Sequence, residues 1–332
     1  MSEIRREKKR IESLYVLKAL CSFLVVTVHA QLWCKSALTP LLGVATPCFL
    51  AITGFLLYSD DGEREMKKAL TWSRKTFLLS LACNALYLAF YLLDGVPLAR
   101  YKLSTLLINL FTGHMISTHL WYLSAVWQGL LLLYLLRRMA PGLINFAPLL
   151  YIIAFLLRAY GSELFPDIDR DTLFILRANA LITALPFLCT GYLVHKHSHL
   201  LTSRLRAPAI LGVGVVLAYA EYGLRTYIGG GSLFFITTWF LVVLLLLSCC
   251  CHKDLSLPII AYIGKEHSAN IYYFHVLVLI YANRWWPEQS DLQTLLVFLA
   301  TLPLSYLFNL TIKGIRLLVG RIKTCQVSGA GV

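Results

Sequence analysis

Lys18-Ala-Leu-Cys-Ser-Phe-Leu-Val-Val-Thr-Val-His29 sets a cation and an imidazole at the two ends of ten mostly apolar residues. Eleven helical steps of about 100° end roughly 20° past three full turns, so Lys18 and His29 share one helix face. At about 1.5 Å per residue they stand roughly 16 Å apart along the axis, about half the hydrocarbon thickness of a bilayer. Ser22 continues the same polar stripe. The stretch lies inside an apolar run, 14–34, that is long enough to span. Ionisable groups at such depth are costly and usually face a protein interior. The pattern is that of the first helix of a membrane bundle.

The rest of the chain agrees. Of its 332 residues 58% are hydrophobic and 14% charged, and the mean hydropathy is +0.69. A soluble domain has about 45–50% apolar and about 25% charged residues. The expectation is therefore an all-α, polytopic membrane helix bundle. Runs of spanning length fall at 14–34, 39–58, 76–93, 120–137, 143–160, 177–195, 207–223, 232–251, 268–286 and 292–318, about ten transmembrane helices. A shorter apolar piece at 103–113 is expected to be re-entrant or interfacial.

Basic residues alternate with these runs. One set of segments carries Arg5, Arg6, Lys8, Lys9 and Arg10, then Arg64, Lys67, Lys68, Arg74 and Lys75, then Arg137 and Arg138, Lys196, Arg204 and Arg206, Lys253 and Lys265, and Lys313, Arg316, Arg321 and Lys323. The other set holds only Lys35, Arg100, Lys102, Arg170, Arg225 and Arg284. By the positive-inside rule both termini are cytoplasmic. The division expected is a basic tail at 1–12, a membrane domain at 13–320 and a second tail at 321–332. The first apolar run lacks a small-x-small cleavage site and reads as an uncleaved anchor. The formal net charge of +13 is accounted for by this topology and an anionic membrane face or ligand; no nucleic-acid partner is expected.

Of nine cysteines, eight lie in or beside apolar segments and none has metal or redox spacing, so all are read as free thiols and no metal is expected. The Cys249-Cys250-Cys251 run is read as packing or as an acylation site. No P-loop, dinucleotide fingerprint or nucleophile elbow occurs, which leaves nucleotide hydrolysis and hydride transfer without support.

The polar clusters and motif-bearing segments remain. His29 is either a general base, since an imidazole kept from water stays neutral, or a hydrogen-bonded packing residue. Lys18 is either a ligand for an anionic phosphate or a snorkelling cation. Ser268, Tyr272 and His275, at i, i+4 and i+7, form one stripe, which is either part of a site or a seam between helices. His119-Leu-Trp121-Tyr122-Leu123 opens another helix, where aromatics are also ordinary interfacial-belt residues. Thr46-Pro-Cys-Phe-Leu-Ala-Ile-Thr53-Gly-Phe55 carries a proline and a glycine that permit bending or close packing. Arg74 and Lys75 either add anion donors near Lys18 or are positive-inside residues. Glu221 and Arg225 read as a local i, i+4 pair. The segment 159–176, with Glu163, Asp167, Asp169, Arg170 and Asp171, is either a sugar-contacting loop or a solvated turn.

Together these motifs resemble the integral-membrane acyltransferase 3 family. Its signature of Arg or Lys, ten residues and His in the first membrane helix is matched by Lys18 and His29. Its "FF..SGFLL" segment is similar to Cys48–Leu57, with Thr53 in place of the usual serine. Its "HLWFL" motif is similar to 119–123, and its "lG..S..iY..H" motif is matched by Gly264, Ser268, Tyr272 and His275. The resemblance implies O-acyltransfer, most often of acetyl, from cytoplasmic acyl-CoA as a co-substrate rather than a resident cofactor. The implied acceptor is a hydroxyl of a cell-surface glycan or its lipid-linked precursor, and the implied location is the cell membrane. By position His29 is the base and Lys18 helps to hold the CoA phosphates. Arg74 and Lys75 match the basic segment that enters the third helix, although Phe77, Leu78 and Leu79 follow where the family has a further arginine and a proline. Two other classes compete: a transporter or flippase with a histidine proton relay, and a non-catalytic scaffold. Residues 1–160 and 177–318 show no mutual similarity, which counts against the transporter.

Overall fold

The computed structural model describes residues 11–97, 102–204, 207–227, 235–255, 257–285 and 291–329. The basic tail at 1–10, Arg100 and Arg206 lie outside them. The described chain is helical, with no strand. Fourteen α-helices follow one another: α1 (Glu12–His29), α2 (Lys35–Leu42), α3 (Ala45–Leu57), α4 (Gly62–Leu93), α5 (Leu103–Thr112), α6 (Trp121–Met139), α7 (Tyr151–Leu164), α8 (Arg170–Arg177), α9 (Leu185–Arg204), α10 (Ala207–Tyr227), α11 (Ile236–Cys251), α12 (Pro258–Glu266), α13 (Ser268–Trp285) and α14 (Gln293–Gly329).

Among the described residues each of the ten expected apolar runs falls largely on helix. Six spans are long and apolar enough to cross a membrane on their own, with α2 and α3 counted as one. A seventh follows if α8 and α9, which meet at a 41° bend, are one span. The outer faces carry leucines and isoleucines such as Leu78, Ile152, Ile153, Leu299 and Leu307, all exposed. This is the surface expected where the surrounding solvent is lipid. The chain is a multi-pass membrane bundle.

The helix carrying the quoted stretch is central: α1 packs against α3, α11, α12, α13 and α14. Small residues bring its neighbours close. A Cβ on Gly264 of α12 would sit 1.8 Å from the carbonyl oxygen of Tyr15 in α1. In the α3–α9 crossing, Gly54 faces the Leu188 carbonyl and Gly191 faces the Ala51 carbonyl, at 1.9 and 1.8 Å from their hypothetical Cβ atoms. Lipid tails give helices no hydrophobic reason to associate, so such close backbone packing is a main source of cohesion.

Polar side chains finish the ends. Asp61 caps α4 by accepting from the Glu63 and Arg64 amides, and Asp169 caps α8 in the same way. The segment read as a loop at 159–176 is thus largely helix, since α7 runs to Leu164 and α8 begins at Arg170. Glu221 accepts from the Ile236 and Thr237 amides at the start of α11. Buried Glu65 joins α4 to α6 and α9 through Arg137 (3.1 Å) and the Tyr192 hydroxyl (3.3 Å). The eight cysteines whose side chains are described are free. Cys249 and Cys250 are buried, and Cys249 packs on α1, where the Ser13 hydroxyl donates to its carbonyl. Cys251 is exposed.

Candidate functional site: a three-histidine centre behind a lysine-lined cavity

Both ends of the quoted stretch lie on α1, as its spacing requires. Ser22 lies between them and donates to the Lys18 carbonyl (2.7 Å). Its hydroxyl proton is engaged within the helix. Around Lys18 opens a cavity of about 310 Å³ that is also lined by Thr53 of α3, Trp72 and Lys75 of α4, Tyr122 of α6, and Ser268 and Tyr272 of α13. Ser22 does not line it. No hydrogen bond or ion pair holds the Lys18 ammonium among the described residues. Lys75 shares the cavity; Arg74 is exposed and does not line it. The Thr53 and Ser268 hydroxyls donate to the carbonyls four residues earlier, Phe49 and Gly264, while still bordering the space.

A second cavity, about 390 Å³, adjoins the first through Lys18 and Trp72 and adds Tyr15, Lys68 and His195. Lys68 lies 4.5 Å over the Trp72 ring. Neither Lys68 nor Trp72 stands out in the sequence. A lysine four residues before a tryptophan on a helix rich in basic residues is commonplace.

At its inner end the first cavity meets the Tyr122–Tyr272 pair, whose rings are 5.1 Å apart. Behind it, three histidines from distant parts of the chain converge. His275 of α13 lies 5.2 Å from His29 and 5.3 Å from His119, ring centre to ring centre, and His29 and His119 are 6.5 Å apart. Tyr272 touches both buried members, at 5.7 Å from His119 and 6.1 Å from His275. Its hydroxyl donates to the His119 carbonyl. Tyr87 of α4 packs on His119 at 4.8 Å and ties α4 to α13 through the Tyr273 carbonyl.

The three imidazoles are not equivalent. His275 is fully buried, and its Nδ1 lies 3.1 and 2.9 Å from the carbonyls of Ile271 and Tyr272. Two acceptors at Nδ1 put the proton there and leave the Nε2 lone pair free; Nε2 has no partner among the described residues. His119 is buried, with Nδ1 3.0 Å from the Ser117 hydroxyl, and its Nε2 also lacks a described partner. His29 alone is exposed, at the last residue of α1. The backbone just beyond it is held in place: Lys35 donates to the Val28 and Ala30 carbonyls (3.1 and 2.9 Å), and Thr294 of α14 donates to the Gln31 carbonyl (2.9 Å). Lys35, which the sequence places among outer-loop cations, thus fixes the position of His29. Among the described residues no His, Cys, Asp or Glu group is arranged to hold a metal ion.

In the α13 stripe the Tyr272 hydroxyl ties α13 to the His119 carbonyl, but among the described residues the stripe does not bond α13 to α14. That task falls to Asn270, which donates to Ser305 (3.0 Å) and Asn309 (2.9 Å) of α14, and to His267, 2.7 Å from Ser305. Ser268, Tyr272 and His275 occupy the other side. The 119–123 motif divides three ways. His119 enters the histidine centre and Tyr122 the cavity, while Trp121 turns towards α7 and α8, with Arg158 at 5.8 Å and Phe174 at 6.4 Å.

The described chain is thus a helical membrane bundle in which a lysine-lined cavity leads towards buried imidazoles. A family model described as an acyltransferase domain matches residues 11–310. The chain belongs to the acyltransferase 3 family and is a membrane acyltransferase. No curated protein and no solved structure matches it.

Proposed function

We propose that this protein transfers an acyl group, acetyl first of all, from cytoplasmic acyl-CoA to a hydroxyl of a glycan or its lipid-linked precursor, in the cell membrane. The observation that carries the reading is the alignment of a lysine-lined cavity with a three-histidine centre along one helix. Lys18 and Lys75 hold the CoA phosphates, with Lys68 and the Trp72 ring at the adjoining cavity taking the nucleotide. The pantetheine arm spans the roughly 16 Å of α1 between Lys18 and His29.

His29 acts as general base. Its ring nitrogen takes the acceptor's hydroxyl proton as the oxygen attacks the thioester carbonyl. The tetrahedral adduct collapses, the C–S bond breaks, and the imidazolium returns the proton to the CoA thiolate. The free Nε2 lone pair of His275 accepts a hydrogen bond from His29 and steadies the imidazolium. Apolar walls keep water from the thioester.

The test supplies radiolabelled acetyl-CoA to membranes that contain the protein and follows label into glycan and lipid fractions. Wild type transfers label and His29→Ala, at equal membrane level, does not. Near-normal transfer by His29→Ala would falsify the base assignment. Lys18→Ala raises the KM for acetyl-CoA and leaves acceptor affinity alone.

A further inference from the structure

A second cluster stands beside the histidine centre, reached through Trp121, two residues past His119. Phe174 of α8 is at its middle. The ring of His114 packs on Phe174 at 4.9 Å and 39°, the Arg177 guanidinium lies 5.9 Å over the same ring, and Trp121 is 6.4 Å away with Arg158 over its own face. The Thr183 hydroxyl links the two arginines, accepting from Arg158 Nη2 (3.3 Å) and donating to the Arg177 carbonyl (2.8 Å).

Two observations point to a ligand. His114 is only 8% exposed, yet neither ring nitrogen has a hydrogen-bond partner among the described residues. The half-buried Arg177 has no carboxylate within 4 Å among them either. Of the nearby acids, Asp171 acts on His114 only through space and accepts no hydrogen bond from it. Asp169 is engaged in capping α8, and Asp171 is exposed in its first turn.

A guanidinium lying over an aromatic ring keeps its in-plane N–H groups for a carboxylate or phosphate. Flat aromatic faces offer an apolar wall to the C–H side of a sugar ring. A buried imidazole with both nitrogens free can meet a hydroxyl as donor and as acceptor. We propose that this cluster binds an anionic sugar, with the parts of the Trp121 and Phe174 rings left by the cations and His114 forming its apolar border, Arg177 and Arg158 holding its carboxylate or phosphate, and His114 meeting a hydroxyl. Its role as the acceptor subsite rests on the acyl-transfer reading of the neighbouring histidines; its binding does not.

The experiment is calorimetric titration of the full chain in detergent with glucuronic acid, glucose 1-phosphate, inorganic phosphate and glucose, with no acyl donor present. At least one anionic sugar binds about ten-fold or more tightly than glucose, as expected when a charge-assisted contact contributes about 1.5–3 kcal/mol. Arg177→Gln removes that advantage and Arg177→Lys restores part of it. Preference between the first two probes tells a carboxylate-bearing acceptor from a phosphate-bearing one. Equal binding of glucose and the anionic sugars, or unchanged affinity in Arg177→Gln, overturns the site. Inorganic phosphate binding as tightly as glucose 1-phosphate overturns the aromatic wall, and unchanged affinity in Trp121→Ala does so where the arginine variants do not fold. Failure of the His29-dependent labelling with sugar binding intact would refute the transferase reading alone.

Discussion

His275 shows how one buried side chain constrains the chemistry of another. Two backbone carbonyls occupy its Nδ1 proton, so its Nε2 can act only as an acceptor, and the nearest imidazole is that of His29 at 5.2 Å. A residue that steadies the imidazolium formed during transfer acts on the chemical step and not on binding of the donor. His275→Phe fills the space without the lone pair. It should lower kcat by about 10²-fold, the lower end of what general acid–base assistance contributes, and leave the KM for acetyl-CoA near wild type. His275→Gln, with an amide oxygen able to accept, should recover part of the loss. Initial rates with purified protein separate the two constants; a change in KM alone would place His275 in donor binding. At this scale the sequence was a fair guide to candidates. His29, His119 and His275 each stood in a recognisable motif, but nothing along the 245 residues between the first and the last says that the three rings meet. Tyr87 and Lys35 carried no signal, because a tyrosine in an apolar run and a lysine after a helix are commonplace.

Among the helices, cohesion comes from backbones in contact. At the α3–α9 crossing Gly54 and Gly191 face each other's helix, and a methyl group on either would lie under 2 Å from a carbonyl oxygen. The helices would have to part, which moves Thr53 and the cavity wall it forms. Overpacking of this kind costs about 1–3 kcal/mol. Gly191→Ala should therefore lower the melting temperature of the detergent-solubilised protein by several degrees, whereas Gly212→Ala in α10, with nothing within 4 Å of its hypothetical Cβ, should leave it unchanged or slightly raised. Equal melting of the two variants would refute the argument. The helix positions were legible because apolar runs of spanning length are a strong signal. Their subdivision was not. The bend between α8 and α9 is a π-helical turn at Ala180–Ala184 capped by Asn179, and the 39–58 run breaks at Gly43 and Val44 into α2 and α3. Both interruptions leave hydropathy untouched.

Across the whole molecule, the lysine-lined cavity and the exposed edge of His29 approach the histidine centre from the two ends of α1, and the Tyr122–Tyr272 pair stands between them. Such a partition lets a donor and an acceptor meet while water is kept from the thioester. The Tyr272 ring is the part of the partition that touches both the cavity and two of the histidines. Cutting it back to alanine joins the cavity, and a thioester held in it, to the imidazoles and to the water that reaches exposed His29. Tyr272→Ala should therefore release free CoA thiol from acetyl-CoA in the absence of any acceptor, several-fold faster than wild type. The added His29→Ala should abolish that leak, because the attacking water needs the same base as the sugar hydroxyl. The affinity for CoA itself, set at the Lys18 end, should change little. Thiol release followed by a colorimetric reagent, with CoA binding measured alongside, checks all three statements. No rise in hydrolysis by a Tyr272→Ala protein that still binds CoA would mean that the two tyrosines do not separate donor from base.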